Sequence, residues 1–258
     1  MVLALVQARY SSTRLPGKVL LPLAGKPMLV QQIERIRRAK NIKTVVVATS
    51  QHPSDDIVAK TCADNAIACI RGDLENVLDR FYQAARHYKA DIIVRLTGDC
   101  PLVDHYVIDS VVDFFKAGLY DYVSNVHPPT FPDGLDVEVF SFEALERAWN
   151  EAVLPSHTEH VTPFFSDPEN SFVCGNVKHS QDLSAMRWTV DEPEDYQFVS
   201  TIYQKLYTKK PDFVMHDILS FLRQHPVLQD LNKRFERNEG LKKSLEADAK
   251  FLNGGSHV

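Results

Sequence analysis

Short apolar runs alternate with longer amphipathic segments over the first two-thirds of the 258-residue chain. The runs Val2–Val6, Thr44–Ala48 and Ile92–Leu96 predict buried strands, because a strand covered on both faces is hydrophobic along its whole length. Between them, Met28–Ala39 and Val77–Tyr88 carry apolar residues every three or four positions, which predicts helices. The alternation is typical of an α/β domain in which helices cover a mostly parallel sheet.

The pattern loosens after about residue 115, where shorter strands and loops predict an inserted β element. We expect one domain over residues 1–225, with an inserted segment at about 122–160, followed by a charged C-terminal tail at 226–258 whose order the sequence leaves open. The other predicted strands are Ile67–Ile70, Tyr122–Asn125, Val137–Phe140, Val173–His179 and Met186–Val190, and the other helices are Pro53–Asn65, Tyr106–Phe115, Phe142–Asn150, Glu194–Leu206 and Val214–Gln224.

The composition narrows the classes of function. A formal net charge of −5 argues against a non-specific nucleic-acid or membrane-surface binder, which normally carries a basic excess. We find no apolar run near the roughly 20 residues that a membrane-spanning helix needs. The four cysteines form no CxxC pair, so we expect reduced thiols in a cytoplasmic protein and no zinc site.

The loop Ala8–Lys18, directly after the first predicted strand, is the first candidate for chemistry. Arg9, Arg14 and Lys18 bring three cations to one turn, and Gly17 with Ser11 favours a tight backbone with free amides, as a triphosphate requires. The loop matches neither the P-loop nor the dinucleotide-binding pattern. A solvated loop with scattered basic residues is the alternative.

Two further polar segments follow predicted strands, namely Arg71-Gly72-Asp73 and Gly98-Asp99. Because ligands of open α/β sheets bind beyond the carboxyl ends of the strands, we expect both segments to converge on the loop Ala8–Lys18. Asp99 follows a buried strand directly, which would hold its carboxylate rigidly in a cleft. Its alternative is a simple turn residue after Gly98.

Five ordered motifs together resemble the CMP-sugar synthetases. They are ARYSSTRLPGKVLLPLAGKPML from residue 8, RGDLENVLDRFYQAA from residue 71, RLTGDCPLVD from residue 95, PDGLDVEVFSFEALERAW from residue 132 and RWTVDEPEDYQFV from residue 187. This family includes the 3-deoxy-manno-octulosonate and acylneuraminate cytidylyltransferases. The chain is most similar to its SpsF-type spore-coat polysaccharide biosynthesis proteins, and the resemblance runs from residue 3 to about residue 200.

The resemblance implies a Rossmann-like three-layer nucleotide-diphospho-sugar transferase fold and a magnesium-dependent cytidylyl transfer from CTP. It assigns catalytic roles to Arg9, Lys18 and Asp99, and it makes Asp99 and Asp191 the Mg²⁺ ligands. Carboxylates with water and phosphate oxygens are the usual ligands of Mg²⁺. For Asp191 the alternative is a helix N-cap paired with Glu194.

The resemblance places Arg71 and Gly72 at the pyrimidine, with Arg80 as a weaker candidate that is otherwise a surface helix residue. The implied nucleotide-binding set is Ala8, Arg9, Ser11, Arg14, Gly17, Lys18, Arg71, Gly72 and Asp99.

Four residues are candidates for binding the acceptor: Asp133, Asp136, Glu138 and His160. One of the carboxylates, or His160, could deprotonate the attacking hydroxyl, whereas a lone histidine is more often a packing residue. We expect a sugar acid or related small anionic acceptor for surface polysaccharide. A phosphorylated polyol, or a non-catalytic nucleotide-binding role, is the alternative. The resemblance also implies a homodimer.

Overall fold

A computed structural model describes residues 1–237 and 239–254. Seven strands form one sheet in the order β5-β4-β1-β6-β8-β7-β9, and β2 and β3 form a separate hairpin. The strands are β1 Val2–Gln7, β2 Pro22–Leu23, β3 Lys26–Pro27, β4 Thr44–Ser50, β5 Ala68–Gly72, β6 Ile92–Thr97, β7 Tyr122–Ser124, β8 Glu138–Ser141 and β9 Cys174–Asn176. The α-helices are α1 Met28–Ile36, α2 Asp56–Asp64, α3 Val77–Tyr88, α4 His105–Ala117, α5 Phe142–Glu151, α6 Pro155–His160, α7 Pro163–Ser166, α8 Pro193–Leu206, α9 Met215–Gln224 and α10 Glu239–Gly254.

Strand β1 lies at the centre of the sheet and pairs in parallel with β4 on one side and β6 on the other. Its residues from Val2 to Val6 are apolar because both faces are covered. Ala4 and Val6 face a core that includes residues of α1, α4, α8 and α9. Leu3 and Leu5 face a second core formed with α3, α5 and α7. The three-layer α/β fold with a mostly parallel mixed sheet is confirmed.

The antiparallel part of the sheet lies on the far side of β6. Strand β8 pairs antiparallel with both β6 and β7, and β9 adds in parallel to β7. The strands predicted as an inserted β element therefore extend the main sheet.

The prediction of a strand at Met186–Val190 is wrong, because this run crosses the carboxyl ends of the strands. Its backbone is held by single contacts: Trp188 N–H donates to the Asp133 carbonyl at 2.6 Å and Val190 N–H to the Asp99 carbonyl at 2.8 Å. The Trp188 side chain is fully buried in the core beneath. This crossing brings the residue after Val190 back to the end of β6.

The C-terminal segment, predicted as a charged tail, contains α10, which packs against α6. Ser244 and Asp248, one turn apart on α10, are both buried. Residues 255–258, at the end of the predicted tail, lie outside the described residues. In the part of the chain that the structure describes, no helix is both long and apolar enough to cross a membrane.

Candidate active site

The loop after β1 is closed by a glycine turn. Gly17 has a φ of +70°, and its N–H donates to the Tyr10 carbonyl at 3.0 Å. A Cβ at this position would lie 2.9 Å from the Tyr10 ring. The turn brings Lys18 inward, where only 11% of its side chain is exposed. The positive φ and the close approach of the ring both favour glycine at this position.

The Lys18 ammonium lies between the two predicted metal ligands. Nζ is 2.8 Å from Oδ2 of Asp99 and 2.7 Å from Oδ1 of Asp191. Burial opposes the charge on Lys18, but the two carboxylates outweigh it and raise the pKa of the lysine above its ordinary value. Burial likewise opposes ionisation of Asp99, yet Lys18 holds the pKa of that carboxyl below its ordinary value. Lys18 and Asp99 are therefore both charged at neutral pH.

Asp191 is not the N-cap of α8, so the alternative drawn from the sequence is wrong. The cap is Glu192, whose N–H donates to the Asp195 carboxylate at 2.9 Å. The Asp191 carboxylate instead faces the cleft, where Oδ1 also lies 3.0 Å from Arg14 Nη2. Capping of α8 therefore does not explain the position of Asp191.

The sequence analysis did not identify Arg187, which contacts Asp133, Asp191 and Asp195. Its side chain is 5% exposed and donates to Asp195 through Nε at 2.9 Å, to Asp191 through Nη2 at 3.1 Å and to Asp133 through Nη1 at 3.2 Å. Burial opposes its charge, but Asp195 and the other carboxylates raise the pKa of the guanidinium. The sequence could have pointed to Arg187, because it begins the run RWTVDEPEDYQFV four residues before Asp191.

Asp99 and Asp191 are suited to hold a magnesium ion. Mg²⁺ is usually bound through one or two carboxylates, with water and phosphate oxygens completing its shell. The described residues contain no group of three or more histidine, cysteine or acidic side chains that would form an all-protein metal cage. The Lys18 ammonium between the two aspartates shows that this position accommodates a cation.

A cavity of about 560 Å³ opens beside these carboxylates. All four predicted acceptor residues line it: Asp133, Asp136, Glu138 and His160. The sequence prediction that these residues share one site therefore agrees with their position. Their role in binding stays a prediction.

The four side chains differ in what they can offer a ligand. Glu138 is occupied, because it pairs with Arg95 and accepts a 2.6 Å hydrogen bond from the Tyr122 hydroxyl. His160 Nε2 lies 2.9 Å from the Ser244 hydroxyl. Burial, followed by the charge of Arg95, lowers the pKa of His160, which favours the neutral ring.

Asp136 is the acceptor-side carboxylate with the most altered acidity. Burial raises the pKa of Asp136 to about 7; its ion pair with Arg237 lowers it, whereas Asp133 and Glu138 add to the increase. The carboxyl group can therefore take up or release a proton near neutral pH.

The residues predicted at the pyrimidine lie at the end of β5. Arg71 donates to the Ser50 carbonyl at 2.8 Å and pairs with Asp56 at 2.6 Å, so its guanidinium is held on the α2 side. Arg80 is fully buried, which excludes the alternative of a surface helix residue. Its stem lies under Gly72, where an added Cβ would be 2.7 Å from Arg80 Cγ.

The three segments at the strand ends converge, as the sequence predicts. Lys18 contacts Asp99, and Arg9 Nη1 donates to the Leu74 carbonyl at 3.2 Å, just beyond the Arg71-Gly72-Asp73 segment. Arg80 Nη1 reaches the same Leu74 carbonyl at 3.2 Å. Ala8 is buried and Ser11 is exposed on the loop. The loop after β1 therefore joins both neighbouring strand ends.

Comparison with known proteins relates the chain to cytidylyltransferases. A family model described as cytidylyltransferase matches residues 3–239. The spore coat polysaccharide biosynthesis protein SpsF of Bacillus subtilis (strain 168) is 32% identical over 234 residues, covering 87% of this chain and 95% of that protein.

Solved structures agree. The structure of a cytidylyltransferase from Leptospira borgpetersenii serovar Hardjo-bovis has a TM-score of 0.85 and 32% identity, covering 92% of this chain and 99% of that one. CMP:2-keto-3-deoxy-manno-octonic acid synthetase complexed with CTP has a TM-score of 0.62, with 80% of this chain and 99% of that one covered. Its identity is 18%, so this second likeness concerns the fold alone.

Proposed function

The chain belongs to the cytidylyltransferase family, and we propose that it transfers a cytidylyl group from CTP to a sugar acid or related small anionic acceptor, releasing pyrophosphate. The observation that carries the proposal is the meeting of Lys18 with Asp99 and Asp191 beside a cavity of about 560 Å³. A nucleotidyl transferase needs a cationic phosphate site, a metal site and an adjoining acceptor site, and this cleft offers residues suited to each.

In this proposal Arg9, Arg14 and Lys18 bind the triphosphate. Guanidinium groups contact phosphate oxygens in a bidentate manner, and an ammonium group stabilises the charge that develops on the departing pyrophosphate. In the structure Lys18 is held at the bottom of the loop by Asp99 and Asp191. Once these carboxylates hold the metal, the Lys18 ammonium would be released to contact the phosphates.

Asp99 and Asp191 would hold the magnesium ion, which when bound neutralises charge on the phosphate oxygens. Arg187 fixes the orientation of Asp191 through its 3.1 Å contact. The position of Asp99, one residue beyond the glycine that follows β6, keeps the second carboxylate on a rigid element.

The acceptor would occupy the cavity lined by Asp133, Asp136, Glu138 and His160. Asp136 is a suitable proton acceptor for the attacking hydroxyl because the pKa of its carboxyl lies close to neutrality. An alternative acceptor is a phosphorylated polyol, whose phosphate oxygen would attack without needing a base. The relation to a spore-coat polysaccharide protein favours a sugar-like acceptor for surface polysaccharide.

The nucleotide assignment is tested by titrating the protein with CTP, ATP, GTP and UTP, each with and without magnesium, and recording the melting temperature. We expect CTP to stabilise the protein most, and magnesium to enlarge the effect. An equal response to all four nucleotides would refute the cytidine assignment.

The acceptor is tested by incubating radiolabelled CTP with a panel of sugar acids and phosphorylated polyols and measuring pyrophosphate. Turnover of phosphorylated polyols alone would support the alternative acceptor. Nucleotide binding with no turnover of any acceptor would favour a non-catalytic binding subunit. The proposed homodimer is tested separately by sedimentation equilibrium. The cytoplasmic location of the protein stays a prediction.

A further inference from the structure

The C-terminal helix α10 forms part of the wall of the acceptor cavity. Its residues Glu239, Leu241, Leu245 and Asp248 line the same cavity as the acceptor candidates. The family model matches residues 3–239, so nearly all of α10 lies beyond the matched region. Apart from Glu239, the residues of α10 that line the cavity therefore lie outside the family match.

Buried polar contacts attach α10 to α6. The Asp248 carboxylate accepts a hydrogen bond from the Ser156 N–H at 2.9 Å, and both residues are buried. One turn earlier, the Ser244 hydroxyl donates to Glu159 at 2.7 Å and lies 2.9 Å from His160 Nε2. Because buried polar groups are costly to leave unpaired, these contacts specify how the helix lies against the cavity.

Glu239, the first residue of α10, contacts the loop Ala8–Lys18. Glu239 Oε2 lies 2.6 Å from Arg14 Nη1, and each side chain is about one-third exposed. The same guanidinium lies 3.0 Å from Asp191 and 3.3 Å from Glu192. Three carboxylates therefore surround the Arg14 cation.

A triphosphate that binds Arg14 must share its guanidinium with these three carboxylates. A guanidinium has five N–H groups in a fixed planar arrangement, and bidentate binding of phosphate uses two of them on one edge. A triphosphate placed beside Glu239 would also meet like charge. Glu239 is the partner on the separate C-terminal helix, whereas Asp191 and Glu192 lie directly before α8.

Resting on the proposed function, we propose that α10 is a substrate-binding element of the active site: it forms a wall of the acceptor cavity, and its residue Glu239 competes with the nucleoside triphosphate for Arg14. Nucleotide binding then loosens the start of α10 at the mouth of the cavity. The contacts of Ser244 and Asp248 keep the rest of the helix in place.

The competition is tested by calorimetric titration of the full-length protein with CTP and magnesium, without acceptor. Glu239→Gln removes the competing charge and should bind CTP about two- to fivefold more tightly, the range expected for one partly exposed ion pair. Glu246→Gln removes the same charge from an exposed position of the same helix and should bind like the wild type. Equal affinities for the two variants would overturn the competition.

Failure of the proposed function gives a different result in this titration. If neither the wild type nor Glu239→Gln binds CTP, both the proposed function and the competition are refuted. If the wild type binds CTP but hydrogen exchange over residues 239–245 does not increase with nucleotide, only the coupling to α10 is refuted.

The proposal that α10 forms a wall of the acceptor cavity is tested by the Michaelis constant for an acceptor identified among the sugar acids and phosphorylated polyols. Leu241→Ala shortens a side chain that lines the cavity, and should raise this constant about fivefold while the constant for CTP stays unchanged. Leu252→Ala, on an exposed part of α10, is the matched control. Identical acceptor constants for the two variants would overturn the assignment.

Discussion

Arg187 donates through Nη2 to the Asp191 carboxylate at 3.1 Å, from a side chain that is almost fully buried. The same guanidinium contacts Asp195 and Asp133. A single arginine thus links one predicted metal ligand, the start of α8 and the acceptor cavity. The position of the Asp191 carboxylate depends on this contact.

The first prediction concerns this link. Arg187→Lys keeps the positive charge but offers three N–H donors, without the planar geometry, where the guanidinium makes five hydrogen bonds. We expect the free energy of unfolding to fall by about 3 kcal/mol, the scale for disrupting a buried ion pair. Chemical denaturation measures the change. Arg234→Lys, at an exposed arginine that pairs with Glu194, should change it by less than about 0.5 kcal/mol, and equal losses in the two variants would contradict the role of Arg187.

A second prediction concerns Asp99. Asp99→Asn preserves size but removes the charge that Lys18 and the proposed metal require, so we expect the rate of pyrophosphate release to fall at least about 100-fold. Asp64→Asn, on the exposed surface of α2, should leave the rate unchanged. Circular dichroism verifies the fold of both variants. Near-normal release by Asp99→Asn would show that this carboxylate does not act in the reaction.

A third prediction compares two glycines with positive φ. Gly17→Ala must tolerate both a φ of +70° and a Cβ that lies 2.9 Å from the Tyr10 ring, so either this ring or the loop Ala8–Lys18 must shift. Gly25→Ala has a φ of +82° but meets no atom within 4 Å. Both variants should lose about 1 kcal/mol of stability from the backbone.

Only Gly17→Ala should also weaken CTP binding, by about tenfold, because it displaces the loop that carries Arg14 and Lys18. The dissociation constants of the two variants for CTP with magnesium test this. Equal weakening in both would mean that backbone strain alone, and not the Tyr10 contact, controls the loop.

A fourth prediction follows from the acidity of Asp136. Its ordinary pKa is 3.8 and burial raises the pKa of the folded carboxyl to about 7. Between these values the folded state retains a proton that the unfolded state has lost. The contribution of Asp136 to stability must therefore decrease as pH rises from about 4 to about 7.

Asp136→Asn removes this titration, so the stability of the variant relative to the wild type should increase with pH across that interval. Urea denaturation at pH 4.5, 5.5, 6.5 and 7.5 measures the difference. The ion pair with Arg237 affects the absolute stability at each pH, but the trend identifies the titrating group. A constant difference at all four pH values would show that the pKa of Asp136 is not raised.

The central elements of the fold were predictable because their signals are local. A strand covered on both faces must be apolar throughout, as in Val2–Val6, and a helix on a sheet must repeat its apolar residues every three or four positions, as in Val77–Tyr88. The parallel arrangement then places Gly98-Asp99 at the same edge as the loop Ala8–Lys18. The prediction failed at Met186–Val190, where Trp188 and Val190 are buried although the segment forms no strand.

By itself the sequence determined the α/β architecture, the cationic loop and the carboxylates that accompany it, because each depends on residue type and on neighbours close in the chain. Only the tertiary structure decided what those charges contact. Arg187, Arg237 and Glu239 have partners that lie 54, 101 and 225 residues away, and no local pattern specifies such a pair. The Lys18 ammonium, between Asp99 and Asp191, occupies its position because three distant segments meet at one edge of the sheet.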